Sequence, residues 1–164
     1  MYDVLAPGYE ELYKEEQVEK LRVVARHLKV RKSDVLLDVG CGTGVSTIFF
    51  DCFAMGVDLS FEMVKRGEGK VLVAAAEALP FKDASFDVVI SVTAIHNFAD
   101  YKKAFCEMER VLKPGGKIVV TVLKKSGKCG EIEDFLCKRR DFAIFESGKD
   151  VVLVCPWVVV GGSV

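Results

Sequence analysis

The chain has 164 residues, of which 51% are hydrophobic and 29% are charged, and its net charge at pH 7 is −1. This length suits a single domain over residues 1–164 with a sizeable core, and the near-zero charge excludes a global attraction to nucleic acid or membrane. Six cysteines without C-x-x-C spacing, a charged N-terminus and no apolar run long enough to span a bilayer predict a cytoplasmic protein with no metal site and no membrane segment.

The predicted elements alternate between helices and strands along the chain. The first is an amphipathic helix over residues 11–29, whose apolar face carries Val18, Leu21, Val24, Ala25 and Leu28. Apolar segments then predict strands near 34–39, 53–58, 70–74, 86–92 and 117–123. Helices are predicted over 100–113, capped by Asp100 and stopped by Pro114-Gly115-Gly116, and near 129–139. A hairpin of residues 142–146 and 151–155 closes the chain, and this alternation predicts an α/β fold with a doubly wound, mostly parallel sheet.

Three glycines, Gly40, Gly42 and Gly44, follow the first predicted strand and precede a helix-like segment. Glycine permits a tight turn and close approach of a ligand to the backbone, and the turn aims N–H groups at that ligand. The spacing is G-x-G-x-G, whereas the dinucleotide fingerprint is G-x-G-x-x-G, so an NAD-dependent oxidoreductase is disfavoured. Asp58 ends the next strand at the distance typical of an acid that holds ribose hydroxyls. The pattern therefore predicts a binding loop for a nucleotide-type cofactor.

The segments Asp38-Val-Gly-Cys-Gly-Thr-Gly44 and Gly56-Val-Asp-Leu-Ser60 resemble those of the class I S-adenosylmethionine-dependent methyltransferases. The segments 77–81, 85–89 and 110–116 occur in that family's order and spacing. Residues 1–13 resemble the entry sequence of its ubiquinone-biosynthesis-like members, in the methyltransferase type 11 group. The resemblance implies a Rossmann-like, seven-stranded sheet with an antiparallel last strand. It also implies S-adenosylmethionine as the methyl donor and S-adenosylhomocysteine as the product.

Loops that follow parallel strands meet at the carboxyl edge of the sheet and should form one site. We expect the glycine loop to hold the methionine part of the cofactor, Asp58 the ribose hydroxyls, and the loop with Ala76 and Glu77 the adenine. Many members of the family have an aspartate where this chain has Ala75, so adenine recognition should be looser here. Cys41 is counted with the loop, although its side chain is expected to pack. The predicted cofactor-binding residues are Tyr9, Asp38, Gly40, Cys41, Gly42, Gly44, Asp58, Leu59, Ala76, Glu77 and Thr93.

His96 lies in the loop after the fourth predicted strand, where the methyl acceptor should approach. Methyl transfer is an in-line displacement from a good leaving group, so the protein mainly supplies alignment and a dry site. A base is needed only for an acceptor that arrives protonated, and His96 is the candidate. The alternative is that His96 only caps or packs under the following helix.

Short connections between the predicted elements leave no insertion for a substrate lid. We therefore expect a large acceptor such as RNA or protein, a partner chain that completes the pocket, or an N-terminal segment that folds over it. The basic loop of Lys124, Lys125 and Lys128 either contacts phosphates or is an ordinary solvated loop. The alternative function is a catalytically silent, cofactor-binding partner subunit, which Ala75 and the apolar tail at 157–160 would suit.

Overall fold

The computed structural model describes residues 8–156, apart from the side chains of Tyr9 and Glu10. Five α-helices and seven strands alternate along it, with one 3-10 turn after the fourth strand. In chain order the elements are α1 (Tyr9–His27), β1 (Val35–Val39), α2 (Val45–Phe49), β2 (Phe53–Asp58), α3 (Phe61–Arg66), β3 (Lys70–Val73), β4 (Phe86–Val92), the 3-10 turn (Ile95–Asn97), α4 (Tyr101–Val111), β5 (Leu112–Leu123), α5 (Cys129–Arg139), β6 (Ala143–Ser147) and β7 (Asp150–Cys155).

The strands form one sheet in the order β3-β2-β1-β4-β5-β7-β6. The pairs among β1 to β5 are parallel, and β7 runs antiparallel to both of its neighbours, β5 and β6. The predicted Rossmann-like sheet with an antiparallel last strand is therefore confirmed. Since β1 lies between β2 and β4, the strand order reverses at β1, and its carboxyl end is the switch point where such sheets bind ligands.

Both faces of the central strands are covered, which explains their nearly continuous apolar sequences. Leu37 and Val89 face the layer built from α4 and α5, in one core cluster. Leu36 and Val88 point the opposite way, into a second cluster with Leu21 of α1. The period-2 alternation of side chains thus divides each strand between two cores.

The predicted end of α4 differs from the structure. The helix stops at Val111, and Leu112 already begins β5, so Pro114, Gly115 and Gly116 lie within that strand. A residue that precedes proline favours an extended backbone, which ends the helix early. The pairing register between β4 and β5 shifts in the same region, because Phe86 pairs with Leu112 whereas Val88 pairs with Lys117.

The buried face of α1 also differs from the prediction. Ala25 is exposed, and the polar residues Gln17 and Lys20 are buried beside Leu21 and Val24. Residues 1–7 of the N-terminal segment expected to fold over the site, and the apolar tail at 157–160, lie outside the described part of the chain. Among the helices of residues 8–156, none combines the length and apolar character that crossing a bilayer requires.

Candidate functional site

The glycine loop at Gly40–Gly44 connects β1 to α2 at the carboxyl edge of the sheet. All three glycines have positive φ, 76° at Gly40, 55° at Gly42 and 85° at Gly44, where other residues are strained. The backbone N–H groups of Gly40 and Cys41 donate to the Val57 carbonyl at 2.8 and 3.0 Å. These bonds hold the loop against the end of β2.

Asp38 lies at the carboxyl end of β1, fully buried beneath this loop. Its Oδ2 accepts hydrogen bonds from the hydroxyls of Ser46 and of Thr47, the latter at 2.9 Å, whereas Oδ1 has no partner among the described residues. Burial raises the pKa of Asp38 to about 6, against the lowering effect of the two hydroxyls. At neutral pH the site therefore has a buried negative charge under its glycine loop.

Asp58 ends β2 and faces the glycine loop. Its Oδ2 accepts from the Gly42 N–H and its Oδ1 from the Ser60 N–H, both at 2.9 Å. A carboxylate offers about four lone-pair positions, so both oxygens can accept further hydrogen bonds. The structure thus fixes the orientation of Asp58 and leaves it capacity for a ligand's hydroxyl groups. Leu59, next in the chain, is 73% exposed.

The loop after β3 brings Ala75, Ala76 and Glu77 to the same edge. Ala76 is buried, and Glu77 accepts a hydrogen bond from the Asp100 N–H at 3.1 Å through one carboxylate oxygen. With Ala75 in place of an aspartate, that position has no side-chain acceptor for an adenine amino group. The cofactor contacts of Ala76 and Glu77 stay predictions.

Two of the sequence motifs meet below that loop through Arg110. Its guanidinium donates to the carbonyls of Leu79 at 3.0 Å and Phe81 at 2.8 Å. It also bonds Glu107, which itself accepts from the Leu79 N–H at 2.9 Å. The motif at 110–116 therefore helps to position the motif at 77–81, which explains why the two occur together.

The loop after β4 packs directly against the glycine loop. A Cβ placed on Gly40 would lie 2.6 Å from the Ala94 Cβ and 3.1 Å from the Phe98 ring, well inside normal contact. Thr93 begins this loop with φ of 52°, a left-handed conformation that costs a residue other than glycine on the order of 1–2 kcal/mol. The geometry of the site thus depends on how the 93–98 loop is held.

His96 stands in the 3-10 turn of the same loop, half-buried, and its Nδ1 has no hydrogen-bond partner among the described residues. Burial lowers the pKa of His96. Asp150 opposes that shift, and Lys20 and Lys128 add to it. The imidazole is therefore neutral at pH 7 and able to accept a proton.

A polar network below this loop was missing from the sequence-based prediction. Lys20 of α1 and Asp150 of β7 form an ion pair at 3.0 Å, with side chains only 8% and 2% exposed. The Thr93 hydroxyl donates to Asp150 at 2.7 Å and accepts from Lys20, and the Thr93 N–H donates to the Thr121 hydroxyl at 2.7 Å. A signal did exist in the sequence, because Lys20, Val24 and Leu28 follow one another at steps of four residues, which places the lysine on the buried face of α1.

The remaining predicted residues are placed as follows. The backbone of Tyr9 begins α1, and its side chain lies outside the described residues. Cys41 is buried, and burial raises the pKa of its thiol, so it stays protonated and packs as expected. Thr93 reaches the site edge, but its hydroxyl bonds Lys20 and Asp150, and its contact with a cofactor stays a prediction.

The basic loop after β5 lies at the same edge of the sheet. Lys124 donates to the Gly148 carbonyl at 3.1 Å and pairs with Glu146 at 3.2 Å, so its charge is partly balanced. Lys125 and Lys128 are exposed. The loop therefore offers at least two solvated cations beside the site.

Comparison with known proteins gives a consistent picture. The methyltransferase domain family matches residues 37–120. An uncharacterized protein of Methanocaldococcus jannaschii is 41% identical over 128 residues, which make up 74% of this chain and 49% of the relative. The tRNA (carboxymethyluridine(34)-5-O)-methyltransferase of Arabidopsis thaliana is 35% identical over 130 residues, 74% of this chain and 31% of that enzyme. The chain thus spans half or less of the length of these two relatives.

Two solved structures share the fold. An S-adenosylmethionine-dependent methyltransferase of Thermotoga maritima superposes with a TM-score of 0.72 at 23% identity, over 89% of this chain and 93% of that one. A methyltransferase in complex with the Haloferax volcanii Trm112 methyltransferase activator gives a TM-score of 0.71 at 19% identity, over 91% of this chain and 94% of that one. With the family match over the glycine loop and its following strands, these findings show that the chain belongs to the class I S-adenosylmethionine-dependent methyltransferases.

Proposed function

We propose that this protein binds S-adenosylmethionine at the carboxyl edge of β1, β2 and β4 and transfers its methyl group to an acceptor, leaving S-adenosylhomocysteine. The observation that carries the proposal is the placement of Asp58. Its carboxylate is oriented by the Gly42 and Ser60 N–H groups at 2.9 Å and retains lone pairs for the ribose hydroxyls.

The residues at the site fit this cofactor. Its sulfonium and ammonium groups are cationic, and the buried Asp38 supplies a negative potential beneath the glycine loop that would hold the methionine part. At Gly40, Gly42 and Gly44 the positive φ angles and the missing side chains expose the backbone, which suits close approach of a ligand. When bound, the cofactor supplies an activated methyl group on a good leaving group. The chain's own task is then alignment and exclusion of water.

We propose His96 as the group that accepts a proton when the acceptor arrives protonated. It stands in the loop that packs on Gly40, and burial keeps its imidazole neutral at pH 7. A neutral imidazole is the form that a general base requires.

The acceptor that we favour is large, an RNA or a protein, with a partner chain completing the pocket. Leu59 and Phe61, which follow Asp58 in the chain, are exposed apolar residues at the edge of the proposed cofactor site. A tRNA methyltransferase among the relatives and a neighbour in complex with an activator protein support both parts of this proposal.

Cofactor identity is tested by thermal unfolding with S-adenosylhomocysteine and with NAD. At about 100 times Kd a ligand adds roughly 2.7 kcal/mol, which raises the Tm of a domain of this size by about 5–10 °C. We expect that shift with S-adenosylhomocysteine only, and a smaller one in Asp58→Ala. A shift with NAD and none with S-adenosylhomocysteine would contradict the proposal.

Catalysis is tested by labelled methyl transfer into RNA, protein and small-molecule fractions of a cell extract, with and without an added Trm112-type activator. Label in the RNA or protein fraction that increases with the activator is the expected result. A chain that binds S-adenosylhomocysteine but labels no fraction, even with the activator, would instead favour the silent partner subunit, for which Ala75 is the supporting feature.

A further inference from the structure

Lys20 and Asp150 form a buried ion pair, and neither residue has been assigned a role in cofactor binding or in the reaction. Removing two charges from water is costly, and a buried ion pair is a weak source of stability compared with well-packed apolar side chains. Its side chains are 8% and 2% exposed, and it lies under the end of β4, close to His96. Its location and the groups that it contacts indicate what it does.

Thr93 is the residue that this pair contacts at the site. Its hydroxyl donates to Asp150 at 2.7 Å and accepts from Lys20, and its N–H donates to the Thr121 hydroxyl at 2.7 Å. The same residue has φ of 52°, an unfavourable conformation for a β-branched side chain. Strained conformations persist where the surrounding structure holds them, and they cluster at functional sites.

The strained residue controls the loop that borders the glycine loop. Ala94 directly follows Thr93, and a Cβ on Gly40 would lie only 2.6 Å from the Ala94 Cβ. Asn97 and Phe98 donate backbone hydrogen bonds back to Ala94 and Ile95 at 2.9 and 3.2 Å, so residues 94–98 form one hydrogen-bonded turn. A change of the Thr93 backbone would therefore displace the wall against which Gly40 rests.

We propose that Lys20 and Asp150 are positioning residues for the cofactor site, which hold Thr93 in its left-handed conformation and thereby fix the 93–98 loop against Gly40. The inference rests on the proposed function, since it concerns affinity for S-adenosylhomocysteine. It also makes the middle of α1 and the start of β7 part of the structure that shapes the site.

The test separates positioning from stability. In the double variant Lys20→Met/Asp150→Leu, apolar side chains of similar size replace the pair, so the Tm should stay close to that of the wild type. The Kd for S-adenosylhomocysteine, measured by calorimetry, should rise about tenfold as the loop relaxes, which corresponds to about 1.4 kcal/mol.

Ser91→Ala is the matched control. Ser91 is a fully buried hydroxyl residue of β4, two positions before Thr93, and its Oγ has no hydrogen-bond partner among the described residues. Its removal should leave the Kd unchanged. If the double variant does not fold, Thr93→Val replaces it and is read by hydrogen exchange alone, because Thr93 is itself a predicted cofactor contact. Valine keeps the shape of threonine but loses the hydroxyl that contacts both Lys20 and Asp150.

Hydrogen exchange of the ligand-free protein provides a readout that needs no cofactor. The amides of Thr93, Asn97 and Phe98, all hydrogen-bonded in the structure, should exchange faster in the variants than in the wild type. Unchanged exchange and a wild-type Kd in a folded variant would overturn the inference. A wild-type chain that does not bind S-adenosylhomocysteine would remove the proposed function instead, and exchange at these three amides would then decide the inference alone.

Discussion

Replacing Asp38 by asparagine should make the protein more stable and the proposed site weaker. The carboxylate is fully buried, and one of its oxygens has no partner among the described residues. Asparagine has nearly the same shape and retains an oxygen for the hydroxyls of Ser46 and Thr47. It carries no charge, so the cost of burying one at neutral pH disappears.

The magnitude follows from the pKa of Asp38, which burial raises from 3.8 to about 6. A shift of that size is equivalent to about 3 kcal/mol. Because the folded protein binds the proton more tightly than the unfolded chain, this contribution to stability is fully present below pH 3.8. It is lost as the pH rises from 3.8 to about 6. Above pH 6, the free energy of unfolding of Asp38→Asn should therefore exceed that of the wild type by up to about 3 kcal/mol.

Urea unfolding at pH 4.5 and at pH 7.5 measures the effect, with a gain for Asp38→Asn that is clearly larger at the higher pH. Asp51→Asn is the control, because Asp51 is exposed in a surface pair with Lys32 and its replacement should change stability by less than about 0.5 kcal/mol. Equal stability of Asp38→Asn and the wild type at both pH values would refute the reasoning. The proposed function adds that this variant binds S-adenosylmethionine more weakly, since the negative potential under the loop is gone.

Three further predictions concern the loops of the site. Gly40→Ala should lower the free energy of unfolding in urea by about 1–3 kcal/mol, because its Cβ would overlap Ala94. In the control Gly148→Ala, φ is 55° and no atom lies within 4 Å of the new Cβ, so the loss should be smaller. Equal losses in the two variants would contradict the clash. His96→Ala should lower the rate of methyl transfer by about 100-fold above pH 6.5, where the wild-type imidazole is neutral because burial lowers its pKa. If the variant keeps the wild-type turnover across pH 5.5–8, His96 is not a base. Ala75→Asp should tighten S-adenosylhomocysteine binding several-fold in calorimetry by adding an acceptor for the adenine amino group, and an unchanged Kd would place the adenine elsewhere.

Much of the candidate site was predictable because its signals are local. A strand, a glycine turn and a helix follow one another within residues 35–49, and the same short-range pattern gives the acid at the end of β2. The helical period predicts α5 over residues 129–139 as the structure has it. Periodicity failed on α1 at Ala25, which it places on the apolar face and which the structure exposes, and it gave no place to the buried Lys20.

The sequence by itself determined the fold class, the position of the glycine loop and the family, since each depends on residues that are neighbours along the chain. Only the tertiary structure decided what holds the loop after β4. Thr93 lies 73 residues from Lys20 and 57 from Asp150, and the three meet because α1 and the start of β7 pack at the same end of the sheet. A partner for a buried charge is chosen by distance in space, and the sequence records no such distance.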